Sequence, residues 1–212
     1  MSYYPTFLDI RGKRCVVIGG GEVALRKVGM LLEFGGRVEV ISPELCPDLA
    51  QFEREGKVKT IRRDYRSGDL ERAFVVIAAT DSPAVNEQVA REASERGALI
   101  NVVDVPKLSN FIVPSYLRRG DITVAVSTSG KSPALARKIR TELERQFGED
   151  YATLVAVVEE VRTELKAKGI AVSARSWQEA LDLPNLLMLL RYGERNQVKE
   201  RLLKALMEAR SR

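Results

Sequence analysis

The chain has 212 residues, 45% of them hydrophobic and 30% charged, with a net charge of +5. That make-up belongs to a folded globular protein and excludes disorder for the body of the chain, and no apolar run approaches the ~20 residues a membrane-spanning helix requires. Histidine is absent, which excludes a Ser-His-Asp triad, a Cys-His pair and a histidine-ligated metal, and leaves proton transfer to Asp, Glu, Lys, Tyr or a thiol.

In chain order, Cys15–Ile18 is a short apolar run and reads as a buried strand. Gly19-Gly20-Gly21 ends it, and Ala24, Val28, Leu31 and Leu32 then mark one face of a helix that stops at Gly35-Gly36. Arg37–Ile41 is a second strand, 57–61 a weaker third, 74–79 a fourth and 98–103 a fifth. Between the last two, Ser82-Pro83 opens a helix to about Arg96, with Gly97 as its cap. Continuous apolar strands alternating with amphipathic helices predict an α/β, Rossmann-type parallel sheet covered on both faces.

The pattern changes near residue 105. Residues 110–117 and 122–127 read as two strands joined by a tight turn at Arg118-Arg119-Gly120-Asp121. A polar loop, Thr128-Ser-Gly-Lys-Ser132, leads to a helix start at Ser132-Pro133, with Ala136, Ile139, Leu143 and Phe147 at helical spacing. After Gly148 the chain reads as wholly helical. Leu154, Val158, Val161 and Leu165 share a face ended by Gly169, and 184–192 and 196–210 are further helices.

Arg191 to Arg212 holds seven basic and three acidic residues, a local balance of +4. A solvated helix face accounts for this; affinity for a polyanion is the alternative. Two cysteines, Cys15 and Cys46, are too few for a disulfide scaffold. With no basic-then-apolar stretch at the N-terminus, no secretory leader is expected, and reduced thiols in a cytoplasmic protein are.

The sharpest local signal is Val17-Ile-Gly-Gly-Gly-Glu-Val-Ala24, which fits G-x-G-x-x-G/A with Gly19, Gly21 and Ala24 in the marked places. Gly19 permits the tight turn out of the strand, Gly21 lets backbone approach a pyrophosphate, and Ala24 lets the helix pack closely. The helix N-terminus offers free N–H groups and a positive dipole end to the phosphates. The second strand normally ends in an acid that holds the adenosine ribose. Here Ser42 stands there, followed by Pro43 and Glu44. Glu44 or backbone N–H groups are the substitutes, and with no arginine beside Ser42, NAD is favoured over NADP. Ligands of open parallel sheets lie beyond the carboxyl ends of the strands. That places Thr80, leaving strand four, near the nicotinamide, and Asp104, leaving strand five, at the crevice mouth.

Five segments together resemble the family of precorrin-2 dehydrogenases, which includes the siroheme synthase N-terminal module. They are Val17–Lys27, Ile77-Ala-Ala-Thr-Asp81, Asn101-Val-Val-Asp-Val-Pro-Lys107, Phe111-Ile-Val-Pro-Ser115 and Val124-Ala-Val-Ser-Thr-Ser-Gly-Lys-Ser-Pro133. The resemblance covers essentially the whole chain and is weakest in the C-terminal helices. It implies hydride transfer from precorrin-2 to NAD⁺ with release of sirohydrochlorin, and in several members insertion of Fe²⁺ to give siroheme. Asp104 matches the key acidic residue, and the Glu22-Val23 turn and Pro43-Glu44 match cofactor contacts. The resemblance departs at Thr128, where a related bifunctional enzyme has Ser.

The implied organisation is an NAD-binding domain over 1–109, a small α+β dimerisation segment over 110–147 that crosses to a second copy, and a C-terminal helical domain over 148–212. The substrate is a tetrapyrrole with multiple carboxylates, so a basic lining is expected. Arg118, Arg119, Lys131, Arg137, Lys138 and Arg140 are the candidate cations. Ser127, Thr128, Ser129 and Ser132 add hydroxyls for propionates. With no histidine present, Asp104 is the expected base. No Cys/His cluster exists to hold a resident metal, so iron is expected only as a transient partner.

Other readings fit less. A non-catalytic NAD-sensing Rossmann module explains the first 105 residues and not the later motifs. No helix-turn-helix signature stands out and only 6% of residues are aromatic, which argues against nucleic acid. A dehydrogenase of small hydroxy acids commonly uses a histidine base, which this chain lacks.

Overall fold

The computed structural model describes residues 3–208, in two compact units that meet in sequence between Val113 and Pro114. The first is a five-stranded, all-parallel sheet in the order β3-β2-β1-β4-β5. Its strands are β1 (Arg14–Ile18), β2 (Arg37–Ile41), β3 (Lys59–Ile61), β4 (Val75–Ala78) and β5 (Leu99–Val102). The order reverses between β1 and β4, where open α/β sheets bind their ligands.

Side-chain alternation along the strands divides the core into two layers. Cys15, Val17, Val38, Val40, Val75 and Ile77 face helix α1 (Glu22–Glu33) and Leu49 of α2 (Pro47–Arg54). Val16, Ile18, Val76, Ala78, Ile100 and Val102 face Val89, Ala90 and Ala93 of α3 (Pro83–Glu95). Both faces are therefore buried, which is why the strands read as unbroken apolar runs. Ser82 caps α3 as expected by accepting from the Val85 amide, and Gly97 closes it at φ +69°.

Three details differ from the sequence-based expectation. The third strand is only 59–61. Helix α2 has no counterpart in that expectation; it is short, starts at Pro47 and fully buries only Leu49. Residues 110–114 are not strand. Instead, Asn110 and Ser109 close the outer edge of β5 with their side chains. Asn110 Oδ1 accepts from the Ile100 amide at 2.8 Å, Asn110 Nδ2 donates to the Ala98 carbonyl at 3.0 Å, and Ser109 Oγ accepts from the Val102 amide at 2.9 Å.

At the opposite end of the sheet, the buried Glu92 on α3 anchors the loop before β4. It accepts from the Tyr65 hydroxyl, from the Gly68 and Leu70 amides and from Arg96 Nε. Burial alone would raise this carboxyl; the bonds from Tyr65, Gly68, Arg96 and Leu70 outweigh it and hold it below its ordinary 4.5. A group depressed in the folded state stabilises above its unfolded value and loses that contribution as pH falls through its folded one. Glu92→Ala is expected to cost about 3 kcal/mol, because four donors lose their acceptor. Urea titration should show the loss at pH 7 and a shrinking difference from wild type below pH 4.5.

The second unit opens with an antiparallel hairpin, β6 (Ser115–Arg119) and β7 (Ile122–Val126). Its turn is two residues rather than the four expected, with Gly120 leading at φ +55°, which glycine adopts without cost. Helix α4 (Pro133–Gln146) follows, capped by Ser132 as expected, and buries Ala136. Helices α5 (Glu149–Ala167), α6 (Ala174–Ala180), α7 (Leu183–Arg191) and α8 (Arg195–Glu208) form a separate core. Helix α6 is a further addition to the expected elements; it has no fully buried residue. On α5, Val157 takes the fully buried place expected for Val158. Ala209 and Arg210, expected to end the last helix, lie outside the described residues.

Among the described residues, the basic side chains of the C-terminal segment are answered by carboxylates of their own unit. Arg191 pairs with Asp150, Arg195 with Glu160, Lys199 with Glu160 and Glu164, Arg201 with Asp182 and Lys204 with Glu208. That pattern fits the solvated helix face and not a surface for a polyanion. Among the described residues, no helix is long and apolar enough to cross a membrane.

Candidate active site

The carboxyl ends of β1, β2, β4 and β5 bring eight expected site residues to one edge of the sheet: Gly19, Gly21, Glu22, Val23, Pro43, Glu44, Thr80 and Asp104. The three glycines after β1 have three different reasons to be there. Gly19 sits at φ +115°, and a Cβ on it would lie 2.2 Å from the Ala79 carbonyl oxygen. On Gly20, a Cβ would lie 1.9 Å from the Glu44 carbonyl oxygen, and its own carbonyl accepts from the Cys46 amide at 2.7 Å. Gly21 has open space where a side chain would stand.

Gly21 is also the N-cap of α1, and no side chain caps that helix. The amides of its first turn, at Glu22 and Val23, therefore face the crevice without a side-chain acceptor. An uncapped helix start beside an open glycine is what a pyrophosphate fills. A dinucleotide fits this cradle.

Ser42, where an acid would be usual, is buried at the end of β2. Pro43 and Glu44 follow it and are exposed. Arg62 and Arg63, which leave the neighbouring β3, are already bound to Glu53 and Asp69.

Thr80, leaving β4, is locked to α3. Its Oγ1 donates to Asn86 Oδ1 at 2.8 Å, and Asn86 Nδ2 donates to the Thr80 carbonyl at 2.9 Å. Asn86 is buried and is a site residue that sequence reasoning missed. The signal was present: a polar residue on the apolar stripe of Val85, Val89 and Ala93.

Asp104 is exposed and left-handed, at φ +58°. Among non-glycine residues Asp and Asn tolerate this region best, and strain of this kind gathers at functional loops. The half-buried Lys27 of α1 feels its charge. Burial pulls the Lys27 ammonium below its ordinary value, Arg26 adds to that, and the Asp104 carboxylate opposes it. Lys27 lies inside a motif legible in the sequence, but no sequence signal ties it to a residue so far along the chain. Cys15 has no part in this chemistry, since burial pushes its thiol up to about 11.

The second unit presents the remaining candidates on one loop. Thr128 Oγ1 donates to the Ser132 carbonyl and accepts from the Ser132 amide, both at 3.0 Å, which closes the loop on itself. Ser132 Oγ accepts from the Leu135 amide. Ser129, at φ +53°, and Lys131 project from the loop and are exposed. Of the candidate cations, Arg119 pairs with Glu149, Lys138 with Glu142 and Arg140 with Glu144, while Lys131 and Arg137 have no ion pair among the described residues.

Comparison with known proteins agrees with this geometry. A family described as putative NAD(P)-binding matches residues 6–115, and one described as sirohaem biosynthesis protein central matches 119–146. A siroheme synthase of Thioalkalivibrio sulfidiphilus is 39% identical over 97% of this chain and 42% of its own length. One of Methylobacillus flagellatus is 43% identical over 79% of this chain and 36% of its own. The chain thus spans less than half the length of the curated relatives it matches. The solved structure of SirC, a precorrin-2 dehydrogenase, superposes with a TM-score of 0.77 at 25% identity, over 95% of this chain and all of that one. The chain belongs to the putative NAD(P)-binding family and is similar to siroheme synthases and to SirC, a precorrin-2 dehydrogenase.

Proposed function

We propose that the chain is an NAD-dependent dehydrogenase that converts precorrin-2 to sirohydrochlorin in the cytoplasm. The observation that carries this reading is the pairing of an open, uncapped glycine turn with a left-handed carboxylate on the same sheet edge. That pairing stands in a chain that SirC matches over 95% of its length.

The amides of Glu22 and Val23 hold the pyrophosphate, with Gly21 leaving the room. Pro43 and Glu44 flank the adenosine ribose. Arg62 and Arg63 are both engaged by carboxylates and are not offered to a 2′-phosphate, which supports NAD. Thr80 borders the nicotinamide half and is kept in place by Asn86. Bound NAD⁺ supplies the hydride acceptor. Loss of two hydrogens then leaves one proton, and a carboxylate oxygen of Asp104 takes it. Ser129 and Lys131, with Thr128 and Ser132 shaping their loop, receive the carboxylates of the tetrapyrrole.

The same reading includes a homodimer. A two-stranded hairpin is marginal by itself, and α4 beside it leaves Leu135 and Ile139 exposed at 52% and 38%. A second copy covering residues 110–147 supplies the missing layer, that segment being the dimerisation element between a nucleotide-binding domain (1–109) and a helical domain (148–212) in sequence. Sedimentation at micromolar concentration should give twice the chain mass. Iron enters only as substrate of a later step, handed over at Asp104.

The test is purified protein with NAD⁺ and precorrin-2, without metal, followed by absorbance. NADH and sirohydrochlorin are expected to rise in step. NAD⁺ binding with no turnover would overturn the dehydrogenase and favour a non-catalytic NAD-sensing module.

A further inference from the structure

A cavity of about 790 Å³ opens between the C-terminal half of α5, residues 168–173 and α6. Leu165, Val158, Ile170, Val172, Trp177 and Leu181 line it. All but Leu165 are only partly buried, so the helical core leaves this apolar surface uncovered. The size lies in the range of small-molecule sites.

Its charge is one-sided. Arg162 and Lys166, one helical turn apart on α5, are the charged residues of the lining, and no carboxylate joins them. This is unusual for its surroundings. Close by, Lys168 pairs with Glu164, Lys199 with Glu164 and Glu160, and Arg175 with Glu179. Arg162 and Lys166 have no such partner among the described residues. Glu149, Asp150, Glu160 and Glu164 of α5 answer other cations, and the exposed Glu159 pairs with neither of these two. Gln178 adds a side-chain amide to the wall.

We propose that this cavity binds an amphipathic organic anion, with an aromatic or bulky apolar body against Trp177 and one acidic group at Arg162 and Lys166. Arg162 and Lys166 are exposed at the rim, and arginine suits the polar end because its planar, weakly hydrated guanidinium pairs with an acid in fixed geometry. The apolar end gains from covering surface that water now wets. The site lies wholly within the helical unit and does not depend on the dehydrogenase reading.

Trp177 is the single tryptophan of the chain, so its emission reports on this cavity alone. The full chain is titrated with anilinonaphthalene sulfonate and with phenylnaphthylamine, which has the same rings and no sulfonate. Saturable quenching of Trp177 is expected, with the sulfonate bound at least about tenfold more tightly. The double variant Arg162→Gln, Lys166→Gln is expected to abolish that preference, leaving the neutral dye and the melting temperature unchanged. Each single variant gives part of the loss, should the double variant fold poorly. Equal affinity for the two dyes, a sulfonate titration unmoved by the variants, or an unresponsive Trp177 would overturn the site.

Discussion

Replacing Asp104 by Asn is expected to lower dehydrogenase turnover by roughly a hundredfold or more, the usual contribution of a positioned general base. The choice of Asn matters because Asp104 is left-handed. Asn accepts that conformation nearly as well as Asp, so the variant removes the charge and the base without straining the loop. Asp104→Ala confounds the two, since a Cβ without a polar partner costs about 1 kcal/mol there. Measured together, Asn should match wild type in thermal stability and NAD⁺ affinity and fall in kcat. Full turnover in Asp104→Asn would mean that the proton leaves by another route.

The second large effect separates two adjacent glycines. Gly20→Ala would place a methyl 1.9 Å from the Glu44 carbonyl oxygen, a backbone atom that cannot swing aside. The turn between β1 and α1 must then part from the 42–46 loop. A loss of about 3 kcal/mol is expected, with NAD⁺ binding lost as well. Gly21→Ala meets nothing within 4 Å and sits at φ −87°, which alanine accepts. Its melting temperature should stay within about 2 °C of wild type. NAD⁺ affinity should still fall at least about tenfold, because the methyl occupies the space where backbone approaches the pyrophosphate. Calorimetric titration of both variants decides it. Unchanged binding in Gly21→Ala would place the phosphates elsewhere.

Much of the first unit was legible because its physics is local. β1, β2 and β4 are buried on both faces, so the apolar–polar alternation of a half-exposed strand is absent and runs such as Phe74–Ala79 stand out. The glycine fingerprint was legible for Gly19 and Gly21. Gly20 was not, since its constraint comes from Glu44, well along the chain in the loop after β2. Asn86 and Glu92 sat in view as polar residues on the buried stripe of α3, but only their partners in the 65–82 region give them meaning. Phe111-Ile-Val113 has the composition of a strand, yet no ladder was free to take it, because the side chains of Ser109 and Asn110 already hold the edge of β5. The short helices α2 and α6 each bury too little to leave a periodic signature.

That closed edge bears on how the protein behaves at high concentration. An open outer strand offers unpaired amides and carbonyls to any extended chain, and growth of a sheet from one molecule to the next begins there. Here the Asn110 amide imitates a peptide of a sixth strand, bonding both ways, while Ser109 takes the next amide. Two adjacent side chains therefore do what a further strand and crossover helix would do in roughly thirty residues. The same short segment carries the chain away from Asp104, so the guard against aggregation and the placing of the carboxylate share one tether. Shortening or loosening that tether would expose the edge and release the acid in a single step.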